Sequence, residues 1–270
     1  RDEEAAQAYR DYLGREPGNL TAKINLAVVL IRQGKAAEAS QTYTELLAQP
    51  DLSADEYFRI GVGLFRAEDY PRAGEAFRKA LQLNPHHRDS YYNLAQTLYV
   101  RTSPLEDARA KAKGDELKKV NAELGPLYGE VRQLAEKLRE YDPANRNVLA
   151  LLARAYRGLG DAAADVKTGD QWKLKAVGVL TLYQEMPFEV VELSLSGAEG
   201  EVALKGTLQN LKLKQGEPIK LRLSLLGATG AAVATQEVTV PAPAAEETTT
   251  FEAKAKVQEG VAGWKYEVLP

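Results

Sequence analysis

The sequence predicts a helical first part followed by a β-structured second part. Three observations carry this. Between Ala54 and Pro85 apolar residues recur three and four apart, pause at Glu68-Asp69-Tyr70 and resume, as two amphipathic helices joined by a short turn must. Related patterns flank this stretch on both sides. After Pro187 the period shortens to two, and short apolar runs alternate with turn residues, the mark of strands. We expect a helical-hairpin solenoid over residues 1–186 and a small antiparallel β-sandwich over residues 187–270.

The hairpin at Ala54–Pro85 is the clearest unit. Gly61, Ala73 and Ala80 let its helices approach, Tyr57, Ile60, Leu64 and Phe77 fill the space between them, and Pro85 stops the second helix. This order of large and small positions resembles the tetratricopeptide repeat, a 34-residue helix–turn–helix unit. Upstream, Leu26, Ala27, Leu30, Gly34, Ala39, Tyr43 and Leu46 stand at corresponding positions, with Gly34 opening the turn. Ala5, Tyr9, Tyr12 and Pro17 fit only the second helix of a repeat. That helix then lacks part of its cover, so Tyr9, Tyr12 and Leu13 are a candidate end interface, and a segment preceding Arg1 is expected to have been removed. Downstream, Tyr91, Leu94, Ala95 and Leu98 supply another first helix.

The next second helix is delayed. An extra helix is expected over Leu105–Leu124, inserted near 104–126 and joined or kinked into a second helix after Gly125-Pro126. From Leu117 through Val120, Leu124, Leu127, Val131, Leu134 and Leu138 to Tyr141 the steps alternate three and four, a heptad seam. It either lengthens the hairpin or forms an arm for a partner. A fifth repeat begins at Asn147, with a turn expected at Gly158-Leu159-Gly160-Asp161 and a second helix over Gln171–Gln184 presenting Trp172, Ala176, Leu180 and Tyr183.

Six β runs follow: Glu189–Leu195, Val202–Leu208, Ile219–Leu225, Val233–Val240, Thr248–Val257 and Trp264–Leu269. Turn signals separate them, among them Ser196-Gly197, Gln215-Gly216, Gly227–Gly230 and Glu259-Gly260. The Ile219–Thr235 stretch resembles the central hairpin of the immunoglobulin-like FxLYD-type domains of bacterial envelopes, with Leu225-Leu226-Gly227 where that family favours Leu-Tyr-Asp.

Composition narrows function. The 270 residues are 44% hydrophobic and 27% charged, ordinary for a folded domain. The apolar run Leu26–Ile31 is too short to span a bilayer. A net charge of −3 argues against nucleic acid as partner. The absence of cysteine removes disulfide and thiolate chemistry and leans towards a periplasmic, outer-envelope or extracellular bacterial protein. The two histidines, His86 and His87, follow a proline in an expected exposed turn and have no third ligand in sight. Asp161, Asp165 and Asp170 lack calcium-loop spacing. No nucleophile elbow, phosphate loop or dinucleotide fingerprint occurs. No cofactor, metal or catalytic residue is expected, and the chain reads as a non-enzyme.

The resemblance implies a concave face lined by set positions of the first helices. Here these are Ile24, Val28 and Ile31, then Phe58, Val62 and Phe65, then Tyr92, Gln96 and Tyr99. Eight of the nine are apolar or aromatic, and an apolar patch of this size implies contact with something. The family's carboxylate clamp is not matched, because Ile24 and Val28 stand where Lys and Asn are needed. The fifth repeat differs, with Ala150, Arg154 and Arg157. The leading expectation is a scaffold whose groove binds a peptide or helix of a protein partner. The rivals are a structural subunit that binds another copy through its solenoid ends or β-domain, and a carbohydrate-binding module using Tyr92, Tyr99 or Trp264.

Overall fold

A computed structural model describes residues 1–198, 200–258 and 260–270. The chain divides into two compact units, Arg1–Arg101 and Thr102–Pro270.

The first unit is helical: α1 (Asp2–Arg15), α2 (Leu20–Arg32), α3 (Ala36–Leu47), α4 (Ala54–Arg66), α5 (Tyr70–Leu83) and α6 (Arg88–Val100). Its repeat shows in the caps. Asn19, Ser53 and His87 stand 34 residues apart, and each accepts the backbone N–H three residues ahead. At Ser53 the bond is reciprocal, since Glu56 accepts the Ser53 N–H. These bonds satisfy amides that the first helical turn leaves unpaired. The turns within the hairpins repeat as well. Gly34 and Glu68, also 34 apart, both take positive φ, of 76° and 62°. The next N–H then returns to the carbonyl of Leu30 or Leu64, at 2.9 Å in both, closing each helix as a left-handed residue does. Tyr43, Leu46, Ile60, Leu64, Phe77, Leu94 and Leu98 form the buried interior of the unit, each such side chain worth about 1.5–3 kcal/mol removed from water.

The second unit opens with α7 (Ser103–Lys111), α8 (Gly114–Tyr141), α9 (Arg146–Ala162) and α10 (Val166–Glu185). Two expectations are corrected here. The extra helix breaks at 112–113, before Gly114, whose φ is +57°, and not at Gly125-Pro126. Helix α8 runs through Pro126, which is exposed, as is Ala122. The hydrogen bond that Pro126 cannot donate is therefore lost on an exposed stretch of the helix, where water can replace it. From Leu124 onward its heptad seam packs inside the unit, with Leu124, Val131, Leu134, Leu138 and Tyr141 buried, whereas Leu117, Val120 and Leu127 are only half-buried. Helix α7 is fastened to α8 by Tyr128 Oη, which donates to Glu106 at 2.7 Å.

The second correction concerns Gly158 and Gly160, which lie within α9 and form no turn. A Cβ on Gly158 would stand 2.4 Å from the Tyr128 ring, and one on Gly160 2.7 Å from Lys173. These glycines provide close approach between helices. Helix α10 starts five residues earlier than expected because Asp165 caps it, accepting from the Thr168 N–H at 2.9 Å. Val179 takes the buried position expected for Leu180.

All six expected strands form: β1 (Phe188–Ala198), β2 (Glu201–Asn210), β3 (Pro218–Leu226), β4 (Ala232–Pro241), β5 (Thr248–Lys256) and β6 (Gly263–Leu269). They make two antiparallel three-stranded sheets, ordered β1-β2-β5 and β4-β3-β6. Alternate residues Leu204, Leu208, Leu221, Leu223, Phe251 and Tyr266 face the shared core. The turn signal at Glu259 lies outside the described residues. The sandwich is tied to the α8–α9 turn within this unit. Tyr266 Oη donates to Asp142 Oδ1 at 2.7 Å and accepts the Ala144 N–H at 2.9 Å, while Asn145 donates to the other Asp142 oxygen at 2.8 Å. All four residues are buried, so the network satisfies a carboxylate that would be costly alone. Ala144 itself belongs to the sandwich core.

Candidate functional site

The first helices of the repeats, α2, α4 and α6, touch in sequence through the first unit. This brings the nine residues singled out from the sequence onto neighbouring elements. Eight of them, Val28, Ile31, Phe58, Val62, Phe65, Tyr92, Gln96 and Tyr99, are half-buried. Ile24 is not available: it is 3% exposed and belongs to the core. Its carbonyl lies 3.5 Å from the buried Tyr43 hydroxyl, so its turn of α2 lies against the α3 ring.

The aromatic members are held in place. Phe58 packs at a tilt on the buried Phe77 at 5.9 Å and on His87 at 4.8 Å between ring centres. Phe65 meets Tyr70 edge-on at 5.4 Å. Tyr92 accepts a 2.5 Å hydrogen bond from Gln96 and has the Arg88 guanidinium 5.6 Å from its ring centre. The face is therefore apolar at Phe58 and Val62 and becomes polar along α6. Rings fixed on one side and open on the other lose little freedom on binding, which favours them as anchors.

His87 is more structural than its turn position implied. Its side chain is only 13% exposed. Nδ1 accepts the Ser90 N–H at 3.2 Å, which leaves Nε2 to donate to Asp55 at 3.1 Å. One ring thus caps α6, supports Phe58 and ties α6 to α4. Its place 34 residues after the Ser53 cap was the signal that identifies this role. Among the described residues no group of three or more His, Cys, Asp or Glu side chains could hold a metal ion.

At the other end of the first unit, Tyr9 and Leu13 are half-buried, and Tyr12 is 46% exposed with its hydroxyl bonded to Asn19. In the second unit, Trp264 lies in the sandwich core, which removes it as a stacking platform for a sugar. Trp172 is a second-unit aromatic that was expected only as packing. It stacks on Tyr156 at 5.7 Å between ring centres, has the Arg132 and Lys175 cations 5.7 Å and 4.5 Å from its ring centre, and Tyr156 donates to Glu136 at 2.6 Å. This cluster joins α8, α9 and α10. No helix among the described residues is long and apolar enough to cross a membrane.

No curated protein sequence matches the chain. It is similar to several solved structures. One is a crystal structure of MamA, at 18% identity over 68% of this chain and 91% of that chain, with a TM-score of 0.44. Another is a monomeric mutant of IFIT1 with Gppp-AAAA, at 19% identity over 63% and 35% of the two chains, with a TM-score of 0.45. A third is the C-terminal part of a tetratricopeptide-repeat-containing protein from Cytophaga hutchinsonii, at 14% identity over 67% and 74%, with a TM-score of 0.32. Two tetratricopeptide-repeat family models match residues 3–58 and 54–87. With hairpins, caps and turns recurring at 34 residues, the helices of residues 3–87 are tetratricopeptide repeats.

Proposed function

We propose that the chain is a protein-interaction scaffold without catalytic activity, whose first-helix face takes an apolar or aromatic peptide or helix. The observation that carries this reading is the state of the eight face residues: neither core nor free, but seven rings and branched side chains, with Gln96, held half-exposed on three neighbouring helices. Such pre-positioned aromatic surface supplies anchor energy, with central truncations costing about 2 kcal/mol or more. The second unit adds a sandwich whose order, β1-β2-β5 against β4-β3-β6, corresponds to strands A-B-E and C′-C-F of an immunoglobulin-like domain. The resemblance of the Ile219–Thr235 hairpin to domains of bacterial envelopes supports a place in a bacterial envelope or outside the cell.

The test is selection of peptides from a displayed random library on the full chain. Titration of the selected peptide against the wild type, Phe58→Ala and Tyr92→Ala would follow. We expect each truncation to weaken binding about 30-fold or more. Affinity should change little between about 0.05 M and about 0.5 M salt, because few ion pairs are at stake. Peptides that bind all three proteins equally would remove the face from consideration.

A further inference from the structure

We propose that a second copy of this chain docks on the outer face of α10, antiparallel about a two-fold axis level with Ala176. The inference is independent of the peptide-binding reading, since α10 lies in the second unit. Helix α10 uses one side to pack on α9, burying Gly169, Ala176 and Val179. Its opposite side is unusually apolar for a surface: Leu174 is 73% and Val177 58% exposed. At Gly178 a Cβ would meet nothing within 4 Å. Bulky apolar side chains beside an open glycine leave both a knob and a hole in view of solvent.

Charge and spacing select the occupant. Lys167, Leu174, Gly178 and Glu185 follow one another at intervals of seven, four and seven residues. Seven residues are about two turns and the whole interval of 18 is five, so the four positions run along one line of the helix. The order is self-complementary when reversed. Placed antiparallel, Lys167 of one copy meets Glu185 of the other, Leu174 enters the space above Gly178, and Gln171 meets Thr181, each contact occurring twice. A self-complementary patch is what a two-fold homodimer requires, and the glycine permits the close helix approach of about 8 Å. The opposed helix dipoles add to the attraction. Parallel stacking would set Lys167 against Lys167 and Glu185 against Glu185. One helix face buries less than the roughly 1,200 Å² of a standard interface, which places the dimer in the weak, reversible class.

The experiment is sedimentation equilibrium of the full chain from about 1 µM to about 500 µM, a range suited to micromolar association. A monomer–dimer equilibrium is expected for the wild type and for Phe58→Ala. Leu174→Glu should abolish it. Lys167→Glu alone and Glu185→Lys alone should each weaken it about tenfold, since two attractive pairs become repulsive, and the double variant should recover the wild-type constant. Lys167, Leu174 and Glu185 are on the surface, and circular-dichroism melts would verify the fold of each variant. A monomer throughout the range would overturn the proposal. So would a dimer indifferent to Leu174→Glu, or a double variant no better than either single one.

Discussion

Gly63→Ala is the smallest perturbation that tests how the first unit is packed. Gly63 of α4 faces Tyr43 of α3, and an ideal Cβ there would stand 2.0 Å from the ring Cζ and 2.3 Å from Oη. Carbon atoms in contact need about 3.5 Å or more, so the ring must retreat by about 1.5 Å. It has nowhere to go, because Tyr43 is fully buried. Overpacking costs about 1–3 kcal/mol, and overlap with a closed-in ring sits at the top of that range. Alanine returns about 1 kcal/mol through its better helix propensity. The net expectation is a loss of about 2 kcal/mol. Gly129→Ala in α8 is the control, since its Cβ would meet nothing within 4 Å and only the favourable term of about 1 kcal/mol applies. The two substitutions are chemically identical and should have opposite signs. Native-state hydrogen exchange across α3 and α4 reads the first, and exchange across α8 reads the second, without requiring that the whole chain melt as one. A Gly63→Ala protein as stable as the wild type would refute the placement of Tyr43 against α4.

Two further outcomes follow from buried hydroxyls. Burial pushes the Tyr43 phenol up to about 12, and burial together with the bond to Glu136 does the same at Tyr156. The unfolded chain ionises these groups near 10, so their contribution is complete below pH 10 and lost as pH rises towards 12. Tyr43 alone amounts to about 3 kcal/mol, and a urea titration that shows no loss of stability across that window would contradict it. Tyr266→Phe removes the donor to Asp142 and the acceptor for the Ala144 N–H. A loss of about 3 kcal/mol is expected, read as faster hydrogen exchange around the α8–α9 turn and β6. Unchanged exchange there would show that the sandwich is not held to the helices by this network.

The hairpins of the first unit were legible because helix packing writes itself into sequence twice, as apolar period and as the small residues where helices meet. Gly61 illustrates the second: its Cβ would stand 2.7 Å from the Phe77 ring, and no larger residue fits there. The same logic misleads at Gly158 and Gly160. A glycine pair beside an aspartate reads locally as a turn, yet here it serves contacts with Tyr128 on α8 and Lys173 on α10. Only the partner helix distinguishes close approach from chain reversal. Pro126 misleads in the opposite way. A proline breaks a helix when its missing hydrogen bond leaves a buried carbonyl, and Ala122 is exposed. The strands were legible because alternation in β2 and β3 is strong and one face of each is closed.

The candidate face shows where reading a helix from its period stops. Register assigns a residue to one side of a helix; all nine residues lie on α2, α4 and α6, and eight of them are half-buried. Exposure depends on what the neighbouring helix brings, which register does not encode. Ile24 is the case in point: its turn of α2 lies against Tyr43, whose ring comes close because Gly63 leaves room for it. The glycine thus helps to set the end of the available surface from a different helix. His87 works in the other direction, since its bonds to Ser90 and Asp55 hold the ring on which Phe58 rests. A cap residue therefore presents an anchor. Removing that ring by His87→Ala should weaken peptide binding through Phe58 although His87 need never touch the peptide, whereas His87→Asn, which keeps a capping acceptor, would preserve α6 and still lose the support. Equal binding by His87→Asn and the wild type would mean that Phe58 is held by Phe77 alone.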